Sequence, residues 1–501
     1  MTDNEQSVNG RRSLKETRPI PRRTPLTAEI GIIGVGHHVY WPQFEGLKES
    51  LLRKLAHFEE RVSQTGVGVH TFGLVDDSQS TYAALEDIKA ASLDLLFVDM
   101  LTYATSSTFA PIIRDLDIPV VLVALQPLSA MDYEHGQIFI QLENDDICSL
   151  PEFAGVAVRM GKDVPEMIIG MQHNDEEADA EIREWCQVAK VLHDLKRARI
   201  GLMGHVLEAM YDMHTDPALI TKAFGCHVVL TEPDDVMGHY RDATEQEIRA
   251  MSDQILGFFD TPDPVSDPVT VKLTDEDLRN AARAAVALDK FVKEKNLNGL
   301  AYYYEAEAGT EMREMVTNFI VGNSLLCAAG FPMCGEFDLK TCMGMMIMDR
   351  LDIGGSFAEF HPVDFDQDTV LVGHDGPHHI NVAQGKPVLR SLTKYHGKPG
   401  HGASVEFKLK LGPITMLSTS VNKDGNIKFV VAQGESVDAP IPPTGNTNTH
   451  GYFGPNIRRF LKNWMYAGPT HHFALGIGHH ASAIKKIAKA LGIDYELVEN
   501  E

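Results

Sequence analysis

The chain has 501 residues, 44% of them apolar and 23% charged, the balance of a globular protein of about three domains at ~150 residues each. Seventy acidic against forty-five basic residues give a net charge of −25. This disfavours nucleic acid and anionic membrane as partners, because both repel an acidic surface. No apolar run approaches the ~20 residues of a membrane span. The first 27 residues are polar and Arg-rich without the apolar core of a secretory signal, so the cytoplasm is the expected compartment. Residues 1–27 are expected to be a disordered arm, with a strap over a neighbouring subunit as the alternative. Cys148, Cys186, Cys226, Cys327, Cys334 and Cys342 include no C-x-x-C pair and lie among apolar residues, so they are expected to be reduced, buried thiols.

From Glu29 onward, short β-branched runs alternate with amphipathic stretches. Ile30–Val35 reads as a strand and Glu45–Val62 as a helix, with further strands over Val67–Val75, Leu93–Val98 and Ile118–Leu125. Continuous apolar runs bounded by turns suit parallel strands buried on both faces. Residues 28–195 are thus expected to form a doubly wound parallel α/β domain. Gly34-Val35-Gly36 ends the first strand, but Val39 stands where a dinucleotide fingerprint needs its third glycine. Loops after the strands of such a sheet line a ligand crevice. His37, His38 and Tyr40 occupy the first of them, open equally to ligand contact or to packing and capping.

A second doubly wound parallel α/β domain is expected over 196–352. Ala198–Gly204, His227–Leu230 and Asn298–Tyr304 are its strands, and Pro262–Pro268 is a loop. Thr274 caps a helix with Asp277 at the third helical position. A helix over Glu311–Ala329 ends at Gly330, before Pro332. Glu305-Ala306-Glu307 is a solvated strand end on the simplest reading; Glu307 shaping a pocket beside Glu336 is the alternative. Residues 353–501 change rhythm and are expected to form a mainly antiparallel β domain. Val388–Lys394, Val405–Leu411, Thr415–Val421 and Ile427–Val431 are its strands, Lys423–Asn426 a hairpin turn and Ala481–Leu491 a closing helix.

Half of the 22 histidines fall between His361 and His480, which makes this region the place to look for a metal. Three turns beside apolar runs each carry one metal-competent side chain: Glu336 in Gly335-Glu336-Phe337-Asp338, Glu359 in Gly355-Ser356-Phe357-Ala358-Glu359, and His374 in Leu371-Val372-Gly373-His374. A fourth candidate lies in Ala467-Gly468-Pro469-Thr470-His471-His472. Two carboxylates and two imidazoles can hold one divalent cation and leave positions open to substrate. A lone Glu beside a glycine is usually a capped turn or a surface group; here Phe337, Phe357 and Phe360 flank the carboxylates, and a buried carboxylate needs a charge partner or a metal. His396, His401, His479 and His480 read as surface residues or as supports around the ligands.

In order and spacing, Gly-Glu-x-Asp-x-Lys-Thr, Gly-x-Ser-Phe-x-Glu, Leu-x-Gly-His and Ala-Gly-x-x-His-His resemble the metal-site series of the L-arabinose isomerases. The L-fucose isomerases resemble the chain less, because their second carboxylate is an Asp. The resemblance implies that Glu336, Glu359, His374 and His472 are ligands of Mn²⁺, with Co²⁺ or Fe²⁺ as alternatives. It further implies that Glu336 and Glu359 are the acid/base pair of a metal-dependent aldose–ketose isomerase working through a cis-enediol. His471 would hold a substrate oxygen, and the chain would act as a homo-oligomer, a hexamer being the expected size. The substrate shell departs from the family. His37 and Val39, beside Tyr40, replace a Gln and a Leu; Asp375 replaces a Met; and Leu122-Val123-Ala124 is aligned with the Gln-Phe-His after the fourth strand. A sugar other than L-arabinose is therefore expected. A metal-dependent hydrolase and a non-catalytic sugar-binding protein are the alternatives from other classes.

Overall fold

The computed structural model describes residues 19–207, 210–261, 273–391, 402–442 and 446–499. The chain divides into two compact units, Leu26–Asp194 and Met1–Pro25 with Leu195–Glu501.

In the first unit, strands β1 (Glu29–Val35), β2 (Gly68–Val75), β3 (Leu95–Met100), β4 (Val120–Gln126) and β5 (Glu166–Met171) form one parallel sheet in the order β2-β1-β3-β4-β5. Ile30, Ile32, Ile33 and Val35 are all fully buried, as a central strand covered on both faces requires. The helix Leu47–Ser63 follows β1 as expected. The helix Ser78–Ala90 starts in a capping box, with Asp77 Oδ1 accepting from Ser80 N at 2.7 Å. Strand β5 was not foreseen. It is an edge strand whose Ile169 is 57% exposed, and with Glu166 and Gly170 it has no unbroken apolar run.

In the second unit, β6 (Arg199–Gly204), β7 (His227–Thr231), β8 (Gly299–Tyr303) and β9 (Met333–Cys334) make a parallel sheet in the order β7-β6-β8-β9. The helix Asp275–Glu294 begins in the expected box, with Asp277 N donating to Thr274 Oγ1 and Thr274 N to Asp277 Oδ2. The single helix expected over Glu311–Ala329 is two, Glu311–Thr317 and Phe319–Ala328. Asn318 breaks it: its side-chain amide donates to Glu314 O at 2.8 Å, a local alternative to helical pairing. The loop expected at Pro262–Pro268 lies outside the described residues.

The remaining strands are β10 (Gly354–Asp364), β11 (Thr369–His374), β12 (Val388–Ser391), β13 (Ala403–Glu406), β14 (Gly412–Val421), β15 (Ile427–Val437), β16 (Thr447–Tyr452), β17 (Phe473–Ile477) and β18 (Asp494–Val498). The sheet runs β14-β17-β10-β11-β16-β15, and β15 pairs back onto β14, so six antiparallel strands close into a barrel. Strand β18 lies parallel to the free end of β15. The expected turn at Lys423–Asn426 joins β14 to β15, with Asn422 N donating to Asn426 O and Gly425 at φ +82°. The strands expected over Val388–Lys394 and Val405–Leu411 shorten to a separate ribbon, β12–β13, and residues 392–394 lie outside the described residues. The architecture is thus parallel α/β sheets followed by a mainly antiparallel β domain.

Five of the six cysteines are buried free thiols, whereas Cys148 is exposed. Of the arm expected over 1–27, residues 1–18 lie outside the described residues. Beyond them, Ile20 N donates to Asn381 Oδ1 at 3.3 Å and Arg22 pairs with the buried Asp349. Among the described residues, no helix is long and apolar enough to cross a membrane.

Candidate metal centre

Glu336 stands in the turn between β9 and the helix Leu339–Arg350, and that turn is strained. Glu336 and Phe337 have φ of 55° and 63°, a left-handed pair that costs roughly 1–3 kcal/mol per residue outside glycine. Phe337 N donating to Tyr302 O at 3.0 Å and Asp338 N donating to Gly335 O at 3.1 Å hold it. Asp338 then caps the helix, accepting from Thr341 N at 3.1 Å and Thr341 Oγ1 at 2.7 Å.

The barrel supplies the other groups. Glu359 on β10 lies opposite Gly373 on β11, and His374 ends β11 opposite Thr447. A Cβ at Gly373 would fall 1.9 Å from Thr447 O, so only glycine lets β11 approach β16 there. His472 precedes β17. Phe357 on β10 packs against both imidazoles, its ring centroid 4.4 Å from His374 and 4.3 Å from His472.

These elements bring the four candidate ligands together. Glu336 Oε1 is 3.7 Å and Glu359 Oε1 3.9 Å from His374 Nε2, and Glu336 Oε2 is 3.7 Å from His472 Nε2. Donor atoms of Glu359, His374 and His472 lie within 4.8 Å of one another, as do those of Glu336, His471 and His472. Ligand atoms about 2.0–2.2 Å from a common cation stand roughly 3–4.4 Å apart, so the two triads, which share His472, approach the span of one ion's ligands. The polar atoms ask for one as well: Glu336 Oε2 and His472 Nε2 are buried without a hydrogen-bond partner. The imidazoles are 6% and 0% exposed and the carboxylates of Glu336 and Glu359 23% and 32%, so the open side of the cluster is the carboxylate side.

Each buried imidazole is backed by an aspartate. His472 Nδ1 is hydrogen-bonded to Asp338 Oδ2 at 3.2 Å, which turns its Nε2 toward Glu336, whereas His374 Nδ1 lies 3.1 Å from Asp375 Oδ1 as a charge neighbour without hydrogen-bond geometry. Burial alone would raise the Asp338 carboxyl, but Lys340, 3.7 Å away, and the bonds from His472 and Thr341 hold it well below the usual carboxylate range. Burial lowers the His472 imidazole, with Asp338 opposing. At His374, burial works downward but is outweighed by Asp375, Glu336 and Glu359, so the net direction is up.

His471 is held by Asp212 through its Nδ1 while remaining within reach of Glu336 and His472. Its Nδ1 is 2.6 Å and its backbone N 3.0 Å from Asp212 Oδ2, in the short turn Tyr211–Met213 after β6. Glu307 is exposed after β8, where its carbonyl accepts from Thr310 Oγ1 at 2.7 Å. His37, Val39 and Tyr40 belong to the N-terminal unit. His37 and Tyr40 rings stand 5.3 Å apart, Val39 is 36% exposed, and His37 Nδ1 is buried without a partner. One alignment needs correcting. Leu122, Val123 and Ala124 are interior residues of β4, buried to within 1%, because the strand runs on to Gln126; its end is Gln126-Pro127-Leu128, which keeps a Gln but carries no aromatic ring or imidazole. Of the other histidines, His479 and His480 are half-buried, His479 Nε2 lying 3.0 Å from Gly434 O, and His396 and His401 lie outside the described residues.

Sequence reasoning gave no role to Asp338, Lys340 or Asp212. Asp338 and Lys340 were visible as the Asp and Lys of Glu-x-Asp-x-Lys-Thr; Asp212 had no signal, being 259 residues from its partner.

A family model described as the C-terminal domain of L-fucose isomerase matches residues 361–499, a span that includes His374 and His472 but neither glutamate. An L-arabinose isomerase of Tolumonas auensis is 21% identical over 440 residues, 84% of this chain and 85% of its own. One from Aeromonas hydrophila is 21% identical over 442 residues, with the same shares covered. A third, from a Shewanella species, is 22% identical over 357 residues, 70% of this chain and 69% of its own.

Proposed function

We propose that this chain, which is a divergent member of the L-arabinose isomerase family, is a metal-dependent aldose–ketose isomerase. The observation that carries the reading is the convergence of Glu336, Glu359, His374 and His472, with buried donor atoms that lack partners and an aspartate behind each imidazole. These four residues would hold the cation, Mn²⁺ on the mixed oxygen and nitrogen donor set, with Co²⁺ or Fe²⁺ as alternatives. When bound, the ion supplies Lewis-acid polarisation of the carbonyl and stabilisation of developing negative charge.

The residues do the rest. Glu336 and Glu359 are the acid/base pair: one carboxylate takes the C2 proton of the open-chain aldose, which becomes a cis-enediol, and the proton returns at C1. A hydroxyl proton passes between O1 and O2 in the same turnover. Asp338 keeps the His472 imidazole with Nε2 inward, Asp375 lies beside His374 as a negative charge, and His471, anchored on Asp212, is available to a substrate oxygen. His37, Val39, Tyr40, Glu307 and Asp375 are proposed for the substrate shell. Three of them, His37, Val39 and Asp375, differ from the family pattern, and an unpaired substrate hydroxyl costs roughly 1–3 kcal/mol. The best substrate is therefore an aldose other than L-arabinose, and the working form is a homo-oligomer in the cytoplasm, a hexamer on the family pattern.

The test is metal analysis of purified protein, then kcat/KM for ketose formation across tetroses, pentoses and 6-deoxyhexoses before and after chelation. Chelation should abolish turnover and Mn²⁺ should restore it. Full activity in metal-free protein would refute the metal assignment, and L-arabinose ahead of all other sugars would refute the reading of the substrate shell.

A further inference from the structure

The N-terminal unit has a pocket of about 420 Å³, inside the roughly 300–1,000 Å³ range of small-molecule sites. It opens where β4 and β5 end, the carboxyl side of a parallel sheet, between Pro127-Leu128, Gln172-His173 and the first helix. That helix offers Ser50, Arg53, Lys54 and His57, spaced so that they share one face. Opposite are Ile140, Glu143 and Asn144.

The polar groups divide into those already satisfied and those that are not. Lys54 is 5% exposed and engaged, pairing with the buried Asp146 and donating to Leu101 O at 3.3 Å. Glu143 accepts from Ser50 Oγ. Asn144 Oδ1 accepts from Leu128 N, which fixes one wall of the pocket. By contrast, Arg53, His57 and His173 make no ion pair with another described residue, and the two imidazole rings stand 4.5 Å apart, tilted by 57°. Arg53 is thus a guanidinium without a carboxylate partner, unlike Lys54, on a chain of net charge −25. An anion entering the pocket would meet in Arg53 a cation with no competing ion pair among the described residues, and in the imidazoles further nitrogen partners. Glu143 and Gln172 offer acceptors and donors suited to hydroxyl groups, and Leu51, Leu128 and Ile140 give apolar surface for a carbon skeleton.

We propose that this pocket binds a monosaccharide-sized polyhydroxy anion, an aldonate or a sugar phosphate. Its charged group lies on Arg53, His57 and His173, and its hydroxyls lie toward Glu143 and Gln172. None of these residues belongs to the Glu336–His472 cluster, so occupancy is separable from the isomerisation chemistry.

The experiment is calorimetric titration of the full chain with D-gluconate, D-glucose 6-phosphate and uncharged D-glucose, in 20 mM and 500 mM NaCl. Wild type is compared with Arg53→Ala/His173→Gln, two substitutions at exposed positions. At least one anionic probe should bind with D-glucose silent, and its Kd should weaken tenfold or more in the double variant and in high salt, while aldose turnover stays unchanged. Gluconate binding alone identifies a carboxylate site, and glucose 6-phosphate binding alone a phosphate site. Equal binding of uncharged glucose, silence of both anions at millimolar concentration, or unchanged affinity in the double variant would each overturn the proposal.

Discussion

Asp338 gives the most demanding test of how the centre is held, and the change that isolates its charge is Asp338→Asn. Asparagine still caps a helix, so its carbonyl can keep accepting from Thr341 N, 3.1 Å away in the wild type. Two other functions are lost. Lys340 is 1% exposed with its Nζ 3.7 Å from Asp338 Oδ1 and 3.0 Å from Met213 O. Without the carboxylate it becomes a buried cation held by a carbonyl alone, and breaking such a pair costs about 3–5 kcal/mol. His472 loses the acceptor 3.2 Å from its Nδ1 that turns Nε2 inward, and removing a partner of that kind weakens metal binding about 10–100-fold, or about 1.4–2.7 kcal/mol. The assay is scanning calorimetry of chelated protein followed by Mn²⁺ titration. The variant should melt earlier and bind Mn²⁺ at least tenfold more weakly. Asp338→Asn/Lys340→Met should recover most of the melting temperature and none of the affinity, because it removes the stranded cation but restores no acceptor. A Mn²⁺ Kd within threefold of wild type, together with an unchanged melting temperature, would refute both halves of the argument.

Further outcomes follow from other groups. Asp99, at the end of β3, is fully buried with neither carboxylate oxygen hydrogen-bonded, and burial pushes it up to about 7 against the pull of Lys54. A folded value above the unfolded ~3.9 means that the native state keeps a proton the unfolded chain releases, so this group costs stability as pH rises from about 4 to about 7. The cost is roughly 4 kcal/mol at most by that linkage. Asp99→Asn should therefore raise the melting temperature more at pH 8 than at pH 5, and an equal gain at both would count against the assignment. Glu336→Gly should melt above Glu336→Gln, since glycine relieves the φ of 55°, while both abolish turnover; if Gln is the more stable, that turn is unstrained. Glu359→Gln keeps an oxygen donor but removes a base, so kcat should fall by more than 100-fold while Mn²⁺ affinity falls far less. Retention of near-normal kcat would remove Glu359 from the acid/base pair.

The parallel strands were legible because burial on both faces writes itself as an unbroken apolar run, as in Ile30–Val35. Caps were legible because the Thr274 and Asp277 exchange is local. Glu336, Glu359 and His374 could be named as candidates from the glycines and aromatic residues around them, whereas the choice of His472 over His471 came from the resemblance to the L-arabinose isomerases. What lay beyond the sequence was anything decided by solvent on one side or by partners far along the chain. The edge strand β5 has one wet face and so lacks the apolar run that betrays its neighbours. Strands β10, β11 and β17 have glutamate, histidine and glycine at positions where a periodicity argument looks for apolar residues. That these strands close a barrel depends on β15 returning to β14 while β16 and β18 share its other edge. The aspartates that hold His471 and His472 belong to the same class. Asp338 and His472 are 134 residues apart, and Asp212 and His471 are 259 apart. Such pairings form because a buried polar atom must find a partner in three dimensions, and no local pattern records which one it finds.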